Sequence, residues 1–215
     1  MSHPLHHSIS SQRQWGGHVD DYLPIHDWFD ATRVAFRDMR HRSMRHHEQG
    51  ILWAQEVFGT HITNQDGAQV AVSDIGRQHC LEDVSFVPDV SDWLRHMKRD
   101  NRVMLTRMIM RLDKHFIAHL LENCSALSQK EWGGQPKDYL PIHRWFEGKF
   151  PLFSDIRYQI LRHHVEGIFW AEQRFGIYLI NSDGRMVPVR AIGEIHVKHT
   201  VGHIPTVRDY LEQMR

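Results

Sequence analysis

Two cysteines, Cys80 and Cys124, are too few for a disulfide framework, and neither belongs to a CxxC pair. Both read as free thiols in a reducing compartment. Neither sign of charge is in excess: 26 Lys plus Arg face 26 Asp plus Glu. Nothing in the net charge therefore points to a nucleic-acid or membrane partner. No apolar run approaches the roughly 20 residues of a membrane-spanning helix. Residues 1–14 are polar, lack the apolar core of a signal peptide, and are expected to form a disordered tail. Together these absences indicate a cytoplasmic protein.

What the chain has in excess is histidine, at 19 residues. It also repeats itself. Residues 15–97 match residues 132–214 at a constant offset of 117 without a gap, and 37 of the 83 positions are identical. The first block opens Trp15-Gly16-Gly17 and continues Asp21-Tyr22-Leu23-Pro24-Ile25-His26, and the second repeats this from Trp132 to His143. Two copies of so long a period indicate duplication of a whole domain, not a solenoid. The expected organisation is repeat unit 1 over 15–97, a connector helix over 98–131, and repeat unit 2 over 132–215.

Each copy reads as helical with one short hairpin. Pro24 and Pro141 suit a helix start. A long helix is expected from Asp38 to Phe58 and again from Asp155 to Phe175. Met44, His47, Ile51, Ala54 and Phe58 step at helical spacing along it, and Gly59 or Gly176 stops it. Asp66-Gly67 between apolar segments predicts a tight hairpin, repeated at Asp183-Gly184. A helix carrying His79 or His196 follows, with Ser73 a candidate N-cap. The last helix starts at Asp89-x-x-Asp92 or Thr206-x-x-Asp209, and that spacing marks Asp92 and Asp209 as caps. In the connector, Leu105, Met108, Ile109, Leu112, Phe116 and Leu120 form an apolar stripe expected to pack across both copies. The fold class is α+β, mainly α, as an internal pseudo-dimer with pseudo-twofold symmetry; further homo-oligomerisation is left open.

Three histidine positions recur: His26 with His143, the pair His46-His47 with His163-His164, and His79 with His196. Three imidazoles with an open position are what a catalytic zinc or similar ion needs, so His26, His46, His79, His143, His163 and His196 are the candidate metal ligands. On one helix His46 and His47 would point about 100° apart and could not share an ion. Gly50 and Gly167 would leave room above His46 and His163. His47 and His164, on the apolar stripe, read as buried histidines needing an acceptor. Asp38, Asp155 and Glu194 are candidate carboxylate partners, and Arg45 and Arg162 candidate anion-binding groups. The competing reading has satisfied structural histidines, with Arg45 paired to Asp38 or Asp21. No HExxH and no standard zinc spacing is present.

At these residues the chain resembles a family of small, uncharacterised bacterial and phage domains. The resemblance rests on the Pro-Ile-His opening, the Arg-His-His-x-x-Gly helix, the Phe-Gly stop, the Asn-Ser-Asp-Gly-Arg-x-Val-Pro-Val-Arg hairpin and the Glu-x-His…Ile-Pro ending. It covers nearly all of both copies and implies that this chain is a fused dimer of a domain usually found singly. It implies no activity. The first copy departs at Ala68 and Arg77 but keeps Glu82-Asp83, where the second has His199-Thr200.

Two function classes follow. The first is a binding or interaction protein of unknown partner, phage-linked by the resemblance, with structural histidines; the lack of an activated nucleophile, phosphate loop or metal motif favours it. The alternative is a metal-dependent hydrolase acting on a phosphoester, with a divalent ion such as zinc, manganese or nickel in a three-histidine site in each repeat.

Overall fold

The computed structural model describes residues 3–34, 37–96, 114–148, 156–212 and 214. The chain divides into two compact units, residues 1–97 with 214–215 and residues 98–213. Unit 1 contains α1 (Pro4–Trp15), α2 (Val19–Asp30), α3 (Glu48–Phe58), β1 (His61–Thr63), β2 (Gln69–Ala71), α4 (Val72–Val84) and α5 (Val90–Leu94). Unit 2 contains α6 (Lys114–Trp132), α7 (Pro136–Glu147), α8 (Val165–Phe175), β3 (Tyr178–Ile180), β4 (Met186–Pro188), α9 (Val189–Val201) and α10 (Val207–Leu211). Among the described residues each unit is mainly helical with one two-stranded antiparallel hairpin, as the sequence predicts.

Residues 3–14 are not the expected floppy tail but a capped helix. His3 caps α1 by accepting from the Leu5 N–H, and Pro4 suits the first helical position. The buried face of α1 is Pro4, His7, Ser8 and Ser11, a helical stripe without a large apolar residue, packed on α2 and α4. The described part of the connector repeats that helix. Leu121, Cys124, Ser125 and Ser128 are buried on α6 at the same offset of 117, and α6 packs on α7 and α9 of its own unit. The connector stripe from Leu105 to Leu112 lies outside the described residues.

The expected long helix is broken in both copies. Met39–Met44 form a 3-10 turn, Arg45 leaves helical geometry at φ −141°, and His47 is extended at φ −164°, ψ 168°. Helix α3 starts only at Glu48. His47 is its cap, with Nδ1 accepting the Gly50 N–H at 2.9 Å. His164 does the same for Gly167 at 2.9 Å. The apolar spacing across Met44–Ile51 survives because a 3-10 turn and an α-helix share a nearly threefold repeat, so periodicity alone could not show the break. Gly50 exists for this corner: a Cβ there would lie 1.9 Å from the Arg45 carbonyl oxygen. An aromatic donor fastens the corner in each unit. Trp93 Nε1 donates to the His46 carbonyl at 3.0 Å, and Tyr210 Oη to that of His163 at 3.1 Å.

Pro24 and Pro141 sit inside α2 and α7, not at their starts. The helices begin earlier because capping boxes built on Asp21 and Asp138 hold their first turns. The last helices start at the expected capping boxes, Asp89 with Asp92 and Thr206 with Asp209, while α4 starts at Val72 with no side-chain cap from Ser73. In unit 1 the hairpin pairs Ile62 with Val70 and buries Val70 in a core of Tyr22, Ile25, Phe29, Ile51, Ala54 and Ile75. This scaffold presents the inward faces of α1, α2, α4 and the residue 45–47 corner to one another.

Candidate metal centre

In unit 1 those faces carry a buried polar cluster. His26 comes from α2, His79 and Asp83 from α4, His46 from the corner, Asp30 from the end of α2, and His7 from α1. The structure brings the three sequence-predicted histidines together, but in a row. His26 Nδ1 meets His79 Nδ1 at 3.0 Å, and His79 Nε2 meets His46 Nε2 at 3.0 Å. His79 shows opposite ring nitrogens to its two neighbours, so one ion cannot take all three.

Two carboxylates approach the facing Nε2 atoms of His46 and His79; Asp30 and Asp83 fall with His79 in one metal-capable group, and Asp30 with His46 in another. His46 Nε2 lies 3.1 Å from Asp83 Oδ2 and 3.5 Å from Asp30 Oδ1. His79 Nε2 lies 3.7 Å and 4.0 Å from the same two oxygens. Bonds of about 2.0–2.1 Å at tetrahedral angles place donors about 3.3–3.4 Å apart, and the five distances between 3.0 and 4.0 Å straddle that value. Two carboxylates and two neutral imidazoles match the charge of a divalent ion.

A hydrogen-bond chain fixes which nitrogen of His79 is bare. Gln78 Nε2 donates to Glu82 Oε1 at 2.7 Å, so its Oε1 faces Ser11 and accepts the hydroxyl proton at 2.5 Å. Ser11 Oγ then accepts from His26 Nε2 at 2.8 Å. His26 Nδ1 becomes an acceptor and takes the proton of His79 Nδ1. The Nε2 of His79 is left with a lone pair directed toward two carboxylates.

Asp83 is anchored from its other oxygen. Its Oδ1 meets Arg42 Nη2 at 2.8 Å, while Oδ2 turns to the histidines. Burial raises the Asp83 carboxyl, but hydrogen bonds from His46 and His7 more than offset this and hold it well below the usual range. Asp30 is likewise raised by burial and lowered further by His41 and His46. Burial, then the nearby histidine charges, push His79 well down. His26 is pushed down to about 3, chiefly by burial. His7 moves up, because Asp83 and Glu82 outweigh its burial.

Unit 2 keeps three of the four donors. Glu147 replaces Asp30, and its Oε1 lies 3.0 Å from His196 Nε2 and 3.3 Å from His163 Nε2, with 3.2 Å between the histidines. Thr200 stands in place of Asp83 and donates to the His196 carbonyl. His143 contacts Ser128 Oγ through Nε2 at 2.9 Å. Burial, the largest influence, brings His143 to about 3, although the nearby Cys124 carbonyl favours its protonated form. Burial also pushes the Cys124 thiol up to about 12. Possible metal-holding groups among the described residues are His7–Asp30–His79–Asp83, Asp30–His41–His46, Glu147–His163–His196 and Cys124–His143–His196.

The other predicted site residues lie elsewhere. Asp38 caps the 3-10 turn and pairs with Arg40 at the surface. Arg45 is buried, its Cζ 4.1 Å from the Trp28 ring centre, and it donates to the Trp28 carbonyl; burial lowers its pKa to about 9. Arg162 stacks on Trp145 at 4.4 Å in the same way. Both guanidinium groups are buried against a tryptophan ring. His47 and His164 are caps, Glu194 faces Lys198 at 3.7 Å on the surface of α9, and Asp155 lies outside the described residues. Sequence reasoning missed His7, Asp30, His41, Asp83, Glu147 and Cys124 as cluster members. The acid shared by positions 30 and 147 was a usable signal, as was Asp83 one helical turn after His79.

No helix among the described residues is long and apolar enough to cross a membrane. No curated protein and no solved structure matches the chain. One family model does, twice, over residues 2–104 and 118–215. Those two matches take in both helical units with their histidine clusters, so the chain belongs to the family described as Domain of unknown function (DUF6915), present here as a tandem duplication.

Proposed function

We propose that unit 1 is a divalent-metal-dependent hydrolase domain for phosphoesters, with the ion held by Asp30, His46, His79 and Asp83. The observation that carries this is the unprotonated Nε2 of His79, which has the His46 Nε2 at 3.0 Å and two ionised carboxylate oxygens at 3.7 and 4.0 Å around it, a grouping that a cation would stabilise. Asp30 also lines a surface cleft with Asp27, Arg33 and Arg37, so the cluster has one edge toward solvent. Arg33 and Arg37 give that edge the charge an anionic ester needs. A divalent ion supplies acidification of a water and charge withdrawal from the ester. The chain supplies its placement: Arg42 anchors Asp83, and the Ser11–His26 relay fixes His79.

The test is hydrolysis of a bis-aryl phosphodiester by chain loaded with zinc, manganese or nickel. The proposal expects turnover that Asp83→Asn reduces at least tenfold and that Arg33→Ala weakens mainly through KM. Metal binding without turnover on any phosphoester would reject the hydrolase and leave a metal-binding domain.

A second reading is favoured by the near-complete enclosure of the rings, since His46 and His79 are both 0% exposed. There the His46 Nε2 proton takes the place of the ion, and the chain from Ser11 to Asp83 is a structural network in a binding module. That reading expects no metal, and a melting temperature indifferent to chelator.

A further inference from the structure

The two units treat the same repeated histidine differently. In unit 1, His79 Nδ1 is occupied by His26 at 3.0 Å. In unit 2 the corresponding nitrogens, Nδ1 of His143 and Nδ1 of His196, are buried and have no hydrogen-bond partner. Both residues are 0% exposed. The two rings stack with centres 5.4 Å apart, and the gap between them holds no hydrogen bond from either nitrogen, a costly arrangement for a core that does nothing with it.

The gap is lined by a third donor. Cys124 lies with His143 and His196 so that one ligand atom from each falls within 4.8 Å of the others. Cys124 occupies the place of His7 in unit 1, whose ring centre lies 4.3 Å from that of His79 at a tilt of 42° and whose Nδ1 meets Glu82 at 2.6 Å. Unit 2 replaces both members of that pair, His7 by Cys124 and Glu82 by His199. An imidazole–carboxylate contact thus becomes a thiol and an imidazole, and the thiol is the smaller group. The relay that locks the unit 1 tautomer is also gone, because Ile195 stands in place of Gln78.

The remaining contacts orient both rings toward the gap. His196 Nε2 lies 3.0 Å from Glu147 and His143 Nε2 lies 2.9 Å from Ser128. If each donates its Nε2 proton there, both Nδ1 lone pairs point at Cys124. A carboxylate behind a ligating imidazole is the usual support of a zinc-bound histidine.

We propose that unit 2 holds a thiolate-type zinc site formed by Cys124 Sγ, His143 Nδ1 and His196 Nδ1, using the ring nitrogen of His196 opposite to the Nε2 that meets Glu147. Glu147 then acts as a positioning residue for His196, and His199 stands nearest in sequence to supply a fourth donor. Bonds of about 2.0–2.3 Å require donors about 3.3–3.7 Å apart, so side chains within 4.8 Å close on the ion by rotamer adjustment. The site uses no residue of unit 1 and stands apart from the hydrolase proposal.

Cobalt(II) added to the chelator-treated full chain reads it out, because only a thiolate ligand gives an intense sulfur-to-cobalt charge-transfer band in the near ultraviolet. The expected result is that band at one equivalent, abolished by Cys124→Ser, which also lowers bound metal by one equivalent. Cys80→Ser and Asp83→Asn leave the band in place. His143→Gln, which keeps the thiol, changes the visible cobalt bands, so the assignment is tested even if Cys124→Ser fails to fold. A folded wild-type chain that shows no thiolate band overturns the proposal, as does a band lost on Cys80→Ser and kept in Cys124→Ser. Asp83-dependent metal binding without the band overturns this site and leaves the unit 1 reading standing.

Discussion

The Nδ1 atoms of His26 and His79 lie 3.0 Å apart, so one ring must donate to the other. The Ser11–Gln78 contacts decide that His79 is the donor. If the unit 1 site holds an ion, Ser11→Ala and His26→Phe should weaken its affinity about 10–100-fold without contacting it. Competition against a chelator of known affinity measures this. Wild-type affinity in both variants would show that His79 needs no relay.

Gly50 is the residue on which the corner depends. Gly50→Ala places a methyl group against the Arg45 carbonyl, which lies 1.9 Å from the ideal Cβ position. The corner must then open, disturbing the His47 cap and the Trp93 contact together. The expected cost is at the exceptional end for a point substitution, above about 4 kcal/mol, with Gly167→Ala equivalent in unit 2. Denaturant unfolding close to wild type would contradict this account of the corner.

Arg45 should behave as a packing residue. Its Cζ lies 4.1 Å from the Trp28 ring centre, and Lys offers neither the plane nor the fork of a guanidinium. Arg45→Lys is expected to lose about 1–3 kcal/mol of stability while leaving metal content and any hydrolysis unchanged in the folded fraction. A variant of full stability that loses ligand binding would restore the anion-binding role.

Acid should destabilise the metal-free protein. His47 is lowered to about 3, first by burial and then by the charge of His46; its Nδ1 must stay unprotonated to accept the Gly50 N–H. Between about 3 and 6.5 the unfolded chain takes a proton there and the folded chain does not. The contribution is therefore complete above pH 6.5 and is lost as pH falls, by about 1.4 kcal/mol per unit for each such group. His26 and His143, also near 3, act in the same sense. His7 is raised and opposes them, since its contribution is present below pH 6.5 and lost as pH rises through its folded value. The melting temperature should fall steadily from pH 6.5 to pH 5, and less steeply in His47→Asn, which keeps a cap acceptor. A flat profile from pH 8 to pH 5 would contradict the assignment.

The repeat, the hairpins, the capping boxes and the recurrent histidines were legible because each is a local pattern. Three things were not. The break at Arg45–His47 hid behind apolar spacing that a 3-10 turn shares with a helix. Helix α1 hid because its buried face, Pro4, His7, Ser8 and Ser11, is small and polar, so no apolar stripe announced it. Asp30 and Glu147 are far in sequence from the histidines they meet and differ between copies, so matching identical residues passed over them.

The central claim is that Asp30, His46, His79 and Asp83 hold a divalent ion, and metal analysis of the untagged full chain by mass spectrometry tests it most directly. The account predicts at least one tightly held transition-metal ion per chain, with one equivalent lost in a folded His79→Gln or Asp83→Asn variant. A chain that holds no metal after incubation with zinc, manganese or nickel, and melts at the same temperature with and without chelator, would contradict it.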